Sequence, residues 1–366
     1  MTTAIGARVL ENPYANRSAI RVEESFFGRS EEIRDLYTRL MGRMSVALVG
    51  ERRVGKSSLM NALQFPRVRS EHGLPEDIRF AAVDSQYIGT VTEEQFLAHL
   101  CGRIGRATGV PAPTPGREGL EKVLRALQRD DKRLVVMIDE FDELVANPHI
   151  RPELFNYLRA CAGEFPVMFV VVFKESDLDQ LVNPDDVGSA FLNIFGSVYV
   201  GPMKEAEARD LICEPAARAG VTLDEGDVEW VQSMAGRLPY FIQVACYHLF
   251  NASGLQKLTD DGRQRLQDAF TFEALPHLRY LWSCLLPREK RLLRSWEKEG
   301  NRKQPEPKES RALKQLLQKG ILIETPKGLC IFSRVFQQLI EETEDEEANS
   351  NLESMFRAVK ERLSGR

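Results

Sequence analysis

Short, largely apolar runs punctuate the first half of the chain, and between them apolar residues recur every three or four positions. The runs at 46–49, 79–84, 133–139, 166–173 and 196–200 read as strands, and 46–49 and 166–173 are apolar throughout, as buried parallel strands are. The intervening stretches read as helices. Ile33, Leu36, Tyr37 and Leu40 share one helical face, as do Leu59, Met60 and Leu63, the latter ending before Pro66. Further helices are expected over 93–106, 119–128 and 153–163, with a loop marked by Pro111, Pro113 and Pro115. Strands alternating with helices in this way specify an α/β fold, a doubly wound parallel sheet over residues 26–202, with ligands at the carboxyl ends of the strands.

Beyond residue 203 the apolar period becomes helical throughout: Leu211 and Ile212, Val228 and Val231, then Phe241, Ile242, Ala245 and Leu249. Residues 203–282 are expected to form a helical lid domain, broken at Gly236 and resumed at Pro239, a proline suited to a first helical turn. Residues 283–340 read as helix, helix, hairpin, helix: 289–299, then 310–319 closed by Gly320, a hairpin over 321–332, and a helix through Val335, Phe336 and Leu339. That order is a winged-helix domain. Residues 1–25 form an irregular, polar N-terminal extension, and 341–366 an acidic linker with a last helix over 352–363.

The chemistry concentrates behind the first strand. Gly50-Glu51-Arg52-Arg53-Val54-Gly55-Lys56-Ser57-Ser58 is a phosphate-loop (P-loop) pattern in which backbone N–H groups curl around a phosphate chain. Gly50 and Gly55 permit a backbone approach that a Cβ would block, Lys56 brings a charge to the β and γ phosphates, and the Ser57 hydroxyl suits Mg2+. The third strand ends in Asp139 and Glu140, about 80 residues further on. An apolar strand ending in two acids is common by itself. Paired with the loop it supplies the second half of an ATP site, Asp139 for the Mg2+ shell and Glu140 to orient and deprotonate the attacking water. Asp142 and Glu143 read as solvating acids of a loop.

Composition excludes several classes. At 366 residues and 43% hydrophobic content the chain can bury ordinary cores, and no apolar run approaches the roughly 18 to 20 residues that span a bilayer. A cytoplasmic location without membrane association is the expectation. Six scattered cysteines (Cys101, Cys161, Cys213, Cys246, Cys284, Cys330) lack C-x-x-C spacing and read as reduced thiols. No His, Cys or carboxylate cluster has metal-ligand spacing, so the expected metal is nucleotide-borne Mg2+. A net charge of -5 does not mark a general nucleic-acid binder, although residues 288–334 carry thirteen Lys/Arg against six Glu, an excess of +7. Arg311 and Lys314 are the candidate DNA contacts on that basic unit.

Assembled, these residues resemble the STAND class of bacterial P-loop ATPases, signal-transduction ATPases related to AAA+ and archaeal-type ATPases. The resemblance spans roughly residues 12–340. It rests on Asn12-Pro13-Tyr14, Phe27-Gly28-Arg29, the phosphate loop, Asp139-Glu140, Leu158-Arg159, Asn193-Ile194-Phe195, Glu214-Pro215 and Gly236 with Pro239-Tyr240. It implies that Phe27 and Arg29 lie on the adenine side, that Pro239 touches the nucleotide from the lid, and that Arg159 acts as an arginine sensor or finger. Arg29 read without the resemblance is a surface partner for a neighbouring acid. Two departures stand out: Phe173-Lys174-Glu175-Ser176 replaces the usual small polar sensor, and Arg237-Leu238 occupies the place of a frequent second glycine.

The resemblance implies a switch that holds ADP at rest and exchanges it for ATP, often as a homo-oligomer, with slow hydrolysis, in a signalling or defence pathway. With about 25 residues on either side of the core and no repeat array, a separately encoded effector or trigger protein is the expected partner. Two readings stay open beside this one. A DNA-binding ATPase, like replication or transposition regulators, would use the basic winged helix on phosphates. A scaffold would bind nucleotide without turning it over.

Overall fold

The computed structural model describes residues 11–84, 90–112, 114–174, 189–253, 260–299, 310–325 and 328–343. Glu175 and Ser176 at the sensor position, the turn residues Pro326 and Lys327, the acidic run 344–347 and the helix expected over 352–363 lie outside the described residues. The chain divides into two compact units, Ser18–Gly201 and a second that joins Met1–Arg17 to Pro202–Arg366.

In the first unit, β1 (Ser45–Gly50), β2 (Ile78–Asp84), β3 (Arg133–Asp139), β4 (Val167–Lys174) and β5 (Phe195–Tyr199) make one sheet in the order β2-β3-β4-β1-β5. Every pairing is parallel, with Val46 beside Val170, Ser45 beside Phe195, Ile78 beside Arg133 and Leu134 beside Val167. Parallel neighbours require crossovers, supplied by α2 (Lys56–Ala62), α3 (Pro66–Glu71), α4 (Glu93–Thr108), α5 (Arg117–Arg129), α6 (Phe141–Ala146), α7 (Pro152–Glu164) and α8 (Ser189–Leu192), while α1 (Ser30–Met41) precedes the first strand. Leu134, Val136 and Ile138 share a core with Phe96, Leu100, Val123, Leu127 and Leu158 of α4, α5 and α7. The alternate residues Val135 and Met137 are just as buried. Both faces are therefore covered at the central strands β1, β3 and β4, which is why these are apolar without alternation, whereas the edge strand β5 is only partly buried, with Ser197 exposed.

Two local expectations change. Pro66 does not merely stop the preceding helix; it is the first-turn proline of α3, where its missing N–H costs nothing. Asp142 and Glu143 lie in the first turn of α6 rather than in a loop. Acids there complement the positive end of the helix.

The second unit runs through α9 (Glu205–Arg218), α10 (Glu225–Ala235), α11 (Pro239–Ser253), α12 (Asp260–Cys284), α13 (Pro287–Glu299) and α14 (Ser310–Gln318). An antiparallel hairpin of β6 (Leu322–Thr325) and β7 (Gly328–Ile331) follows, with Leu322 opposite Ile331, and residues 334–343 are helical. Gly236 ends α10 at φ +56°, and a Cβ there would lie 2.9 Å from the Phe332 Cβ. The Phe332 ring packs at 5.9 Å from Phe241 and 5.4 Å from Phe336. Part of the basic excess is engaged within the unit: Lys319 is buried 3.2 Å from Glu289, Arg288 donates to Gln315 at 2.9 Å, and Lys290 and Arg294 lie over the Trp282 ring. Among the described residues, no helix is long and apolar enough to cross a membrane.

Candidate nucleotide-binding site

The last residue of β1 is Gly50, where nothing larger fits. A Cβ there would lie 2.3 Å from the Val200 carbonyl oxygen, and the Val200 amide itself donates to the Val49 carbonyl at 2.7 Å. The loop that follows buries Glu51 and Val54 and exposes Arg52 and Arg53. Gly55, at φ +100°, then turns the backbone into α2.

Lys56 is 8% exposed, and its ammonium curls back over the loop to donate to the carbonyls of Gly50 at 2.7 Å and Glu51 at 2.8 Å. Ser57 Oγ donates to Asp139 Oδ1 at 3.0 Å, and the Glu140 amide donates to the same oxygen at 3.1 Å. The two motifs therefore meet at the carboxyl ends of β1 and β3. A fixed loop with glycines where a Cβ would clash, an ammonium folded over it, and a hydroxyl beside a carboxylate fit a magnesium-bound polyphosphate. Mg2+ takes hard oxygen ligands and is ordinarily held by one or two protein groups, the rest coming from phosphate and water. Among the described residues no group of three or more His, Cys, Asp or Glu is placed to hold a metal alone.

Arg29 is 3% exposed and reaches the loop from behind. Its Nη2 donates to the Val54 carbonyl at 2.8 Å, and its Nη1 pairs with Glu32 Oε1 at 2.8 Å. A pair with a neighbouring acid is what Arg29 suggests without the resemblance, but at the surface; its burial and its hold on the loop belong to neither reading. Phe27, two residues before it, is half-buried. Arg29 (φ 64°), Arg53 (φ 68°) and Glu140 (φ 48°) are three of the five described non-glycine residues with positive φ. Backbone strain of this kind tends to gather at functional sites.

The remaining expected residues scatter. Ser58 turns its hydroxyl to accept the Ile20 amide at 3.0 Å, and Asn61 Nδ2 donates to the Ile20 carbonyl, so residues counted with the N-terminal extension line the start of α2. Arg159 is exposed on α7, with no hydrogen-bond or ion-pair partner among the described residues. Pro239 begins α11, and Arg311 and Lys314 are exposed on α14, all in the second unit. Ile20 and Val200 escaped the sequence reading because their contribution is mainly backbone, which any residue type carries.

The profile of the Novel STAND NTPase 1 family, nSTAND1, matches residues 16–267 of the chain. The chain belongs to this family. This STAND NTPase is similar in fold to the Walker-type ATPase PABY2304 of Pyrococcus abyssi, at 18% identity and a TM-score of 0.57, over 90% of this chain and 99% of that one. It is similar also to the ORC2 protein of Aeropyrum pernix in its ADPNP-ADP complexes, at 16% identity and a TM-score of 0.53, over 92% of this chain and 98% of that one. At such identities the likeness concerns the fold. No curated protein matches the STAND NTPase in sequence.

Proposed function

We propose that this STAND NTPase binds ATP and ADP with Mg2+ at the loop from Gly50 to Ser57, hydrolyses ATP slowly, and works as a two-state switch in a signalling or defence pathway. The observation that carries the reading is the 3.0 Å hydrogen bond from Ser57 to Asp139, which joins two motifs 82 residues apart into one set of oxygen donors. Lys56 sets its charge against the β and γ phosphates, and the amides of residues 51–57 cradle them. Ser57 and Asp139 would hold Mg2+, which would supply the charge that offsets the phosphoryl oxygens. Glu140 orients the attacking water and takes its proton. Residues 203–282 serve as the lid and 283–340 as a winged helix.

A separately encoded effector or trigger is the proposed partner, and the ATP form is proposed to assemble as a homo-oligomer. Arg159, exposed and unpaired among the described residues, is the residue offered to a neighbouring copy. The DNA-binding alternative has less support, because Arg288, Lys290, Arg294 and Lys319 are engaged inside their own unit.

Two substitutions test the switch. Lys56→Ala should weaken ATP binding and turnover together. Glu140→Gln should slow hydrolysis by roughly 10²- to 10⁴-fold while ATP still binds, leaving the protein in its ATP form. Hydrolysis rates and light scattering in Mg-ATP, on protein freed of nucleotide, read both. Equal mass and equal partner capture for the two variants would rule the switch out.

A further inference from the structure

Glu140 holds a left-handed backbone conformation, φ 48° and ψ 49°, that a glutamate seldom adopts. Something on each side must hold it there. On the N-terminal side, its amide is tied to Asp139 Oδ1 at 3.1 Å. On the C-terminal side stands Phe141, 0% exposed, whose ring meets Phe173 of β4 at 5.2 Å, Phe155 of α7 at 5.7 Å and Phe191 of α8 at 5.8 Å. Phe191 also touches Phe169 at 5.2 Å and Phe195 at 5.0 Å, so the cluster spans β4, β5, α6, α7 and α8.

We infer that Phe141 is a positioning residue for hydrolysis. Its ring is a peg seated among phenylalanines; it fixes where α6 begins and so forces the preceding residue into the conformation that aims the Glu140 carboxylate. This rests on the assignment of Glu140 as the base. The interdigitated rings of a close-packed core hold their places to a fraction of an ångström, whereas an aliphatic side chain in the same space leaves a void into which the backbone relaxes. A relaxed Glu140 would leave the left-handed region and carry its carboxylate away. Lys56, Ser57 and the loop would be untouched. Binding and turnover should therefore separate.

The experiment compares Phe141→Leu with Phe169→Leu, which opens a similar void in the same cluster but with the rings of Phe191 and Phe141 between it and Glu140. Phe141→Met serves as a milder second variant. Both leucine variants should melt at lower temperature than the parent. Only Phe141→Leu should lose kcat, by about tenfold or more, with KM and ATP affinity unchanged. In a Glu140→Gln background it should add no further loss, since two residues acting through one group do not add. Equal kcat loss for the two leucine variants, or none, overturns the proposal. Full additivity with Glu140→Gln does so too. Wild-type hydrolysis by Glu140→Gln alone removes the base assignment and the peg's role together, and that outcome is distinct from a failure of the peg.

Discussion

Arg29 and Ser58 are the residues whose contacts differ most from what their place in the motifs suggests. The resemblance places Arg29 beside adenine; in the fold its guanidinium is buried and braces the phosphate loop through the Val54 carbonyl while pairing with Glu32. Nothing in the side-chain sequence could signal this, because the acceptor is a backbone oxygen 25 residues away. That Gly50, Lys56, Ser57, Asp139 and Glu140 come together was legible for the opposite reason: the two motifs are defined by side-chain types, or the absence of one, at fixed spacing. Arg29→Ala should remove a charged hydrogen bond from a buried carbonyl and an ion pair from a carboxylate. The expected cost is about 1.5–3 kcal/mol of stability. A slackened loop should also bind ATP more weakly, by about tenfold, equivalent to about 1.4 kcal/mol. Calorimetric titration and thermal melting of Arg29→Ala and Arg29→Lys check this. Unchanged ATP affinity in the alanine variant would show that the brace is structural only.

At the scale of elements, the strands were legible almost to the residue because a doubly covered sheet demands unbroken apolar runs. Helix ends were less so. Several helices close with an amide reaching back five residues, as Leu74 donates to the Arg69 carbonyl, Val221 to Ala216 and Ile321 to Leu316, with glycines 73, 220 and 320 in the left-handed position before them. Two helices close the same way without glycine. Met44 donates to Arg39 behind Arg43 (φ 59°), and Lys132 donates to Leu127 behind Asp131 (φ 51°). At the end of α5 composition gives no stop signal, and at the end of α1 the glycine, Gly42, stands one residue before the left-handed position. Arg43→Gly should relieve the left-handed strain, about 1–2 kcal/mol, against the roughly 0.5–1 kcal/mol by which glycine's freedom favours the unfolded chain. A net gain of several tenths of a kcal/mol, seen as a melting temperature raised by a degree or two, is expected. Asp131→Gly should gain less, because aspartate visits this region more readily. A lower melting temperature for Arg43→Gly would mean that its side chain contributes more than its backbone loses.

At the scale of the whole chain, the sequence reads as segments laid end to end, whereas the second unit is discontinuous and takes in residues 1–17. The reason lies in helix α9, which carries Pro215 in its interior. A proline there has no N–H to give and pushes away the carbonyl four residues back, so the turn opens. The Tyr14 hydroxyl enters that opening: it donates to the Ile212 carbonyl and accepts the Ala216 amide at 3.1 Å. Asn12 donates to the Tyr247 carbonyl at 2.9 Å and to Asn251 at 2.7 Å, and the Arg17 guanidinium lies 4.8 Å from the Tyr247 ring centre. Asn12-Pro13-Tyr14 and Glu214-Pro215, two separate marks of the family in the sequence, are thus one joint, invisible there because its halves lie about two hundred residues apart. Burial raises the Tyr14 hydroxyl well above the usual tyrosine range, so it stays neutral and able to donate. Tyr14→Phe keeps the ring against Phe250, 6.1 Å away, and removes only the bridge. It should cost about 1–3 kcal/mol, the penalty for a buried carbonyl and amide left poorly satisfied. Pro215→Ala in the same chain should recover part of that loss, because the regained N–H lets the turn close on itself. Scanning calorimetry of the single and double variants decides it. A double variant no more stable than Tyr14→Phe would show that the tyrosine bridge does not answer to the proline.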